Sequence, residues 1–329
     1  MISNKNIFSN NATKQFSMQE ISPLWMRFVG GKTIILLLVA IQLIFSSCED
    51  EITPTLEEAP AIVAIDAWIN NKPEPQVINV ARTQPFFDNS LPPGVSGAIV
   101  QVIDENSKVF DFIETAAGEY TWTPAEGETF GEIGLQYGLN IEVDGVTYNA
   151  LSELNPVPPV DSITFTFEEA DGPFPEGFFA EFWARDLLGA GDTYWIRTFK
   201  NGVFQGKPDE INIAFDAGFS SGGNIDNIIF IAPIRFGVNS FEEDENGDLL
   251  APFLPGDSIF VELNSITNEA FFFLSEVEIQ TDRPGGFAEL FATPLSNVPT
   301  NIISSDESEE VVGFFNVSAV SGNGMRLVE

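Results

Sequence analysis

The sequence predicts a mainly β fold: a small antiparallel sandwich followed by a second β-rich region that carries one helix. Three observations support this. Short apolar runs alternate with polar residues at period two, turn dipeptides separate them at regular spacing, and one proline-dense segment divides a first stretch from a phenylalanine-rich second one. No repeat at solenoid or propeller periods is visible.

Within residues 61–154, the run 62–69 is apolar and β-prone and ends at Asn70-Asn71. Runs 98–103 and 108–113 flank Asp104-Glu105-Asn106-Ser107, a hairpin by composition. Runs 139–143 and 146–150 flank Asp144-Gly145, two residues that tolerate the positive φ angles of a type I′ turn. Ile141 and Val143 alternate with Glu142, and Val146 and Tyr148 alternate with Thr147 and Asn149, so one face of that pair is expected to be buried. Several such pairs in so short a stretch predict an antiparallel sandwich.

Residues 155–160, with Pro156, Pro158 and Pro159, read as an extended connector, because proline cannot continue a central strand. The region 161–329 beyond it holds 22 of the 31 phenylalanines. Strands are expected at 162–167, 178–184, 193–200, 202–205 after the Asn201-Gly202 turn, 227–231 and 258–263. One helix is expected over 268–279, with Thr267 as its cap, Glu269 complementing the dipole, and Phe272, Phe273 and Val277 on one side.

The N-terminal residues concern location. The only cysteine, Cys48, follows the uncharged run 33–45 and the small pair Ser46-Ser47, and Lys5, Lys14, Arg27 and Lys32 precede the run. A basic flank, a short apolar segment and small residues before a cleavage point describe an export signal over residues 1–47, with a long basic leader. As a helix the apolar run reaches only ~20 Å, short of a hydrocarbon core of ~30 Å. Met18 and Met26 are alternative starts to Met1. Cysteine at the cleavage point reads as a lipoprotein signal whose thiol is acylated; the alternative is an ordinary signal ending near a buried free cysteine. Phe45 stands where a smaller aliphatic residue is usual in such a signal. Residues 48–60 read as an acidic tether punctuated by proline.

Composition narrows the chemistry. The prefix carries four of the 14 basic and one of the 49 acidic residues, which leaves 10 basic and 48 acidic side chains and a formal charge of −38. Such a chain repels nucleic acid and anionic headgroups, so membrane attachment falls to the lipid on Cys48. There is no histidine, and no thiol once Cys48 is acylated, which excludes imidazole and thiolate catalysis, their metal sites and disulfides. No cofactor, metal ligand or catalytic residue is assigned. The stretch 242–248 has the alternating carboxylates of a calcium loop, but Phe253 stands where the bidentate glutamate belongs, so it reads as an exposed acidic loop. Phe271-Phe272-Phe273 reads as core, with one ring forced off the buried helix face. The loops at 220–223 and Gly285-Gly286 read as flexible, and sequence does not distinguish paired carboxylates such as Asp209-Glu210 from surface charge.

Several ordered segments together resemble a known family. They are SSCEDEITP at Cys48, AIVAIDAWI with Trp68, VINVARTQPFF with Arg82, GAIVQVID, AAGEYTW with Gly118 and Tyr120, and YGLNIEVDGVTYNALSEL. They continue through PVDSI at Asp161, DTYWIR with Tyr194, PGDSIFVELNSITNEAFFFL, VPTNI at Asn301 and VVGFFNVSAV at Gly313. The chain is similar in these to the Bacteroidota outer-membrane lipoproteins grouped as domain of unknown function 4249. The resemblance implies a first domain like the carboxypeptidase regulatory domain, an immunoglobulin-like sandwich, then a β-rich domain with a helix. It also implies an outer-membrane location facing the exterior, with Glu49, Asp50 and Glu51 as the surface-export signal, and a TonB-dependent β-barrel transporter as partner. It carries over no catalytic residues. The expected role is therefore binding or accessory, without catalysis. A structural or adhesive surface module is the first alternative, and a carboxylate-driven glycan hydrolase the second.

Overall fold

Each run of alternating residues in the first half forms a strand with its apolar set facing one core, in a computed structural model that describes residues 60–328 except 86, 87, 89, 221, 223 and 224. The export signal 1–47, Cys48, Glu49, Asp50, Glu51 and the tether up to residue 59 lie outside the described residues.

The first strands are β1 (Val63–Asn70), β2 (Gln76–Arg82), β3 (Ile99–Asp104), β4 (Val109–Ala116), β5 (Glu119–Trp122), β6 (Gln136–Val143) and β7 (Val146–Glu153). In β1 the inward set is Val63, Ile65, Ala67 and Ile69; in β6 it is Tyr137, Leu139, Ile141 and Val143. Asp144 and Gly145 take φ of 52° and 84°, as the I′ turn between β6 and β7 requires. Tyr120 fixes the long β2–β3 connection: its hydroxyl donates to the Val95 carbonyl at 2.7 Å and accepts from the Ala98 amide at 2.8 Å.

Beyond the connector follow β8 (Val160–Glu168), β9 (Gly177–Ala184), β10 (Thr193–Lys200), β11 (Val203–Gln205), β12 (Asn212–Phe215), the short helix α1 (Ala232–Phe236) and β13 (Ser258–Ile266). The chain ends with α2 (Asn268–Thr281), β14 (Ile303–Ser304), β15 (Val311–Ser318) and β16 (Val320–Arg326). The expected strand at 227–231 is absent. Asn227 has φ of 56°, Ile229 makes only a single bridge to Arg185, and Pro233 opens α1 directly afterwards. Helix α2 begins as expected, with the Thr267 side chain accepting from the Ala270 amide, but its buried side is Ala270, Phe271 and Leu274, and Phe272 points out at 56% exposure.

Strand pairing crosses the connector. The nine-stranded sheet runs β14-β7-β6-β3-β4-β5-β2-β1-β15, so its last and first members come from the far end of the chain. β15 lies parallel to β1 from Val63 opposite Val311 to Asn70 opposite Ser318. The approach is close enough that a Cβ on Gly313 (φ 104°) would fall 1.8 Å from the Ile65 carbonyl oxygen. The sheet nearly closes, giving a sandwich-like shell around one core. Side chains bridge its seam where the backbone ladder stops. Asn301 accepts from the Phe315 amide at 3.0 Å and donates to the Phe315 carbonyl at 2.8 Å, and Ser152 accepts from the Val317 amide at 2.9 Å.

A second sheet, β11-β10-β13-β16 with β12 also on β10, packs with the β8–β9 hairpin around Phe182, Tyr194, Phe230, Phe253, Val261 and Leu263. Only Ala319 separates β15 in one sheet from β16 in the other. At this crossing Ser265 accepts from the Ala319 amide at 2.9 Å and donates to the Asn155 carbonyl at 2.6 Å. Residues 155–160 thus lie at a border between two cores, but the chain crosses that border again, and the described residues form one compact unit. Val157 packs against both cores.

Candidate functional site

Strands that bury one face expose the other, and here the exposed face of β3, β6 and β7 forms one wall of a cleft. Ile103, Gly138 and Leu151 are opposite one another in register, as are Asn140 and Asn149, with Ile303 of β14 next in that second row. Gly138 carries no side chain between its two aliphatic neighbours, so the row dips at its centre. The resulting chamber, about 620 Å³, is lined by Ile103, Asn140, Leu151, Glu269, Asn301 and Ile303, among others. Leu151 is 61% exposed and Ile303 72%. Neither Asn140 nor Asn149 uses its side-chain amide in a hydrogen bond among the described residues.

Leu151 and Glu269 also line a second chamber of about 380 Å³, so the two chambers adjoin. The second chamber is acidic and polar: Glu153, Asn155, Asp192, Thr267, Asn268 and Glu269 face it. Glu269 reaches both chambers because the Thr267 cap starts α2 at the cleft's edge.

Asp192 is held on a tight loop by its neighbour Asp216, whose carboxylate accepts from the Gly191 amide at 2.6 Å and the Asp192 amide at 3.2 Å. The Asp216 amide in turn donates to the Asp192 carbonyl at 2.7 Å. Behind them Asp186, only 2% exposed, accepts from the Tyr194 hydroxyl at 2.7 Å and the Asn227 amide at 3.1 Å. Asp226 accepts from the Gly189 amide at 2.9 Å. Burial, reinforced by the charges of Asp186, Asp216 and Asp226, pushes the Asp192 carboxyl up to about 6. Burial also raises Asp186 against the hydrogen bonds it accepts, and raises the Tyr194 hydroxyl, which Asp186 keeps protonated. Among the described residues, no Lys or Arg forms an ion pair with Glu153, Asp186, Asp192, Asp216, Asp226 or Glu269. Nor does any group of three such side chains there have the arrangement of a metal site.

A second charged region lies where the β1–β2 turn meets the outer face of β10 and β13. Glu262, 5% exposed, accepts from Lys72 at 2.8 Å, and Lys72 also pairs with Glu74 at 2.8 Å. Arg197 stands 3.7 Å from the other Glu262 oxygen and lies over the rings of Phe204, Trp195 and Phe199 at 4.6, 5.1 and 5.5 Å. Burial lowers the Arg197 pKa; at Lys72 burial alone would do the same, but the hydrogen bonds and charges of Glu262 and Glu74 reverse it and the pKa is raised. Trp195 continues the aromatic packing to Trp68, at 5.2 Å, and Trp68 to Phe314, at 5.7 Å. This region joins the two sheets.

The motifs singled out in the sequence are placed elsewhere. In the 242–248 loop Asp244 turns its carboxylate onto the Asn246 and Asp248 amides at 2.7 and 3.0 Å, which holds its pKa low and makes it the stabiliser of a turn. Phe271 is buried, Phe273 packs on Phe314 at 4.6 Å, and only Phe272 is exposed. Glu210 is more than surface charge: it accepts from the Lys207 amide at 2.7 Å and from the Ser240 hydroxyl. Asp192 was not singled out from the sequence. Its carboxylate neighbours lie six to 34 positions away along the chain at irregular intervals, and no local motif connects them.

A model of the family described as Domain of unknown function (DUF4249) matches residues 49–323. No curated protein matches the chain.

Proposed function

The chain belongs to the DUF4249 family, and from that premise we propose that it is a lipid-anchored outer-membrane protein that binds a ligand for a TonB-dependent transporter. In this reading Cys48 carries the acyl anchor, Glu49, Asp50 and Glu51 direct it to the outer face, and the chain is a Bacteroidota surface component that binds without turnover. The observation that carries the reading is the pair of adjoining chambers along β6, β7 and the start of α2, one lined by aliphatic side chains and the other by carboxylates. Concave, partly apolar sites with a few convergent polar groups are what a capture protein needs. The hydrolase alternative calls for paired carboxylates flanked by aromatic rings, and among the described residues no aromatic one lines either chamber.

Two experiments test the proposal. Copurification of the full chain in mild detergent brings down a TonB-dependent β-barrel; recovery of the lipoprotein alone under several growth conditions contradicts the partnership. Cys48→Ser moves the protein out of the membrane fraction, and Ala at Glu49, Asp50 and Glu51 keeps acylation while reducing cleavage by external protease.

A further inference from the structure

We propose that the cleft takes an organic cation with an aliphatic tail, its ammonium group among Glu153, Asp192 and Glu269 and its tail against Leu151, Ile103 and Ile303. This inference deepens the reading of the cleft as the ligand site and rests on it.

The two chambers divide the chemistry of the ligand. At one end Gly138 opens a hollow between Ile103 and Leu151, large enough at about 620 Å³ for a short chain or small ring. Burying each methylene there is worth ~0.8 kcal/mol. At the other end three carboxylates face a polar chamber, and Asp186, Asp216 and Asp226 stand behind Asp192. Among the described residues, no Lys or Arg lines either chamber. An anionic ligand would meet this field unscreened, and a neutral one would gain hydrogen bonds to the carboxylates but no net charge attraction. A metal ion needs its oxygens gathered on one point, and these carboxylates instead line the length of a cleft. A protonated amine fits, because one ammonium donates three hydrogen bonds that a spread of carboxylates and the Asn155 and Asn268 side chains can accept. Asn140 and Asn149, whose side-chain amides have no hydrogen-bond partner among the described residues, flank the path of the tail and suit a polar substituent on it.

Titration supplies an independent check on the same geometry. Asp192 is acted on by Asp186 at the end of β9, Asp216 after β12 and Asp226 in the following loop, while Glu153 of β7 and Glu269 of α2 face it across the chamber. A cation bound there favours the charged carboxylate, so binding releases a proton near pH 6 and weakens as the pH falls below that value.

The test is calorimetry on the full chain at pH 7.5 with n-hexylammonium, and with methylammonium, hexanoate and hexanol as comparators. Hexylammonium is expected to bind at least about tenfold more tightly than each of the others. Glu269→Gln and Asp192→Asn each weaken it several-fold, and Leu151→Asn brings it down to the methylammonium level. Glu269 is exposed near the start of α2, so that variant keeps the fold, which circular dichroism verifies. Hexanoate or hexanol binding as tightly as the cation, with the loss in Leu151→Asn retained, overturns the ligand class and leaves the cleft as the site. Cation affinity unchanged in both carboxylate variants also overturns the proposal. Failure of every probe to bind overturns it together with the reading of the cleft on which it rests.

Discussion

Glu262 and Asp192 are both partly or fully enclosed acids, yet their surroundings differ in sign. Glu262 is covered by the β1–β2 turn and meets Lys72 at 2.8 Å and Arg197 at 3.7 Å, so the two sheets are joined by a nearly neutral cluster. Asp192 meets Asp186, Asp216 and Asp226, and its carboxyl is pushed up to about 6. A chain selected only for stability would place a cation beside the second acid as it does beside the first. On the proposal above, the unrelieved charge of the cleft is kept for a ligand, and the relieved charge of the junction serves the fold.

The largest effect is expected at the junction. Lys72→Met leaves one Glu262 oxygen without its partner while Arg197 remains near the other, and should cost about 2 kcal/mol, read by thermal or denaturant unfolding. The raised Lys72 pKa fixes the pH dependence: its contribution is complete at neutral pH and disappears as the pH rises through the folded-state value, so variant and parent converge in strong alkali. Unchanged stability at pH 7 would remove the distinction between the two acids.

At the cleft the sign reverses. Asp192 has a folded pKa of about 6 against 3.8 for the free group, so the folded state binds more protons between those values and loses stability as pH rises through them. Asp192→Asn should therefore stabilise the protein at pH 7.5 by about 1 to 2 kcal/mol, after allowance for partial exposure, and should have no effect below pH 4. Melting curves across that range check both statements. The smallest effect belongs to Glu269→Gln: the residue is exposed, so its removal should change unfolding by no more than about 0.5 kcal/mol while lowering cation affinity several-fold.

The hairpins were legible from the sequence because they are local. Asp144-Gly145 and Asn201-Gly202 fix turns whose strands pair within a few residues, and the Thr267 cap marked the start of α2. The closure of the first sheet was not legible. β14 pairs β7 across about 150 residues and β15 pairs β1 across about 250, and such pairing leaves no periodic trace in either strand. Three prolines pointed to residues 155–160 as a connector, but composition could not show that Ser265 and Ser321, both of the second sheet, hold the Asn155 and Pro158 carbonyls. The cleft was illegible for the same reason: Leu151, Asp192 and Glu269 are each ordinary in their own segments, and only the fold places them around one opening. The proposed anchor at Cys48 is the opposite case: its signal is contained in consecutive residues, which lie outside the described ones.

The central claim is that the charge in the cleft is left unneutralised for a cationic ligand, and one measurement tests it most directly. Thermal unfolding of the parent and of Asp192→Asn is followed at pH 7.5 with and without saturating n-hexylammonium. The account predicts that the variant melts higher than the parent without ligand and gains less from the ligand than the parent does. A variant that melts lower than the parent, or that gains as much from the cation as the parent does, would contradict it.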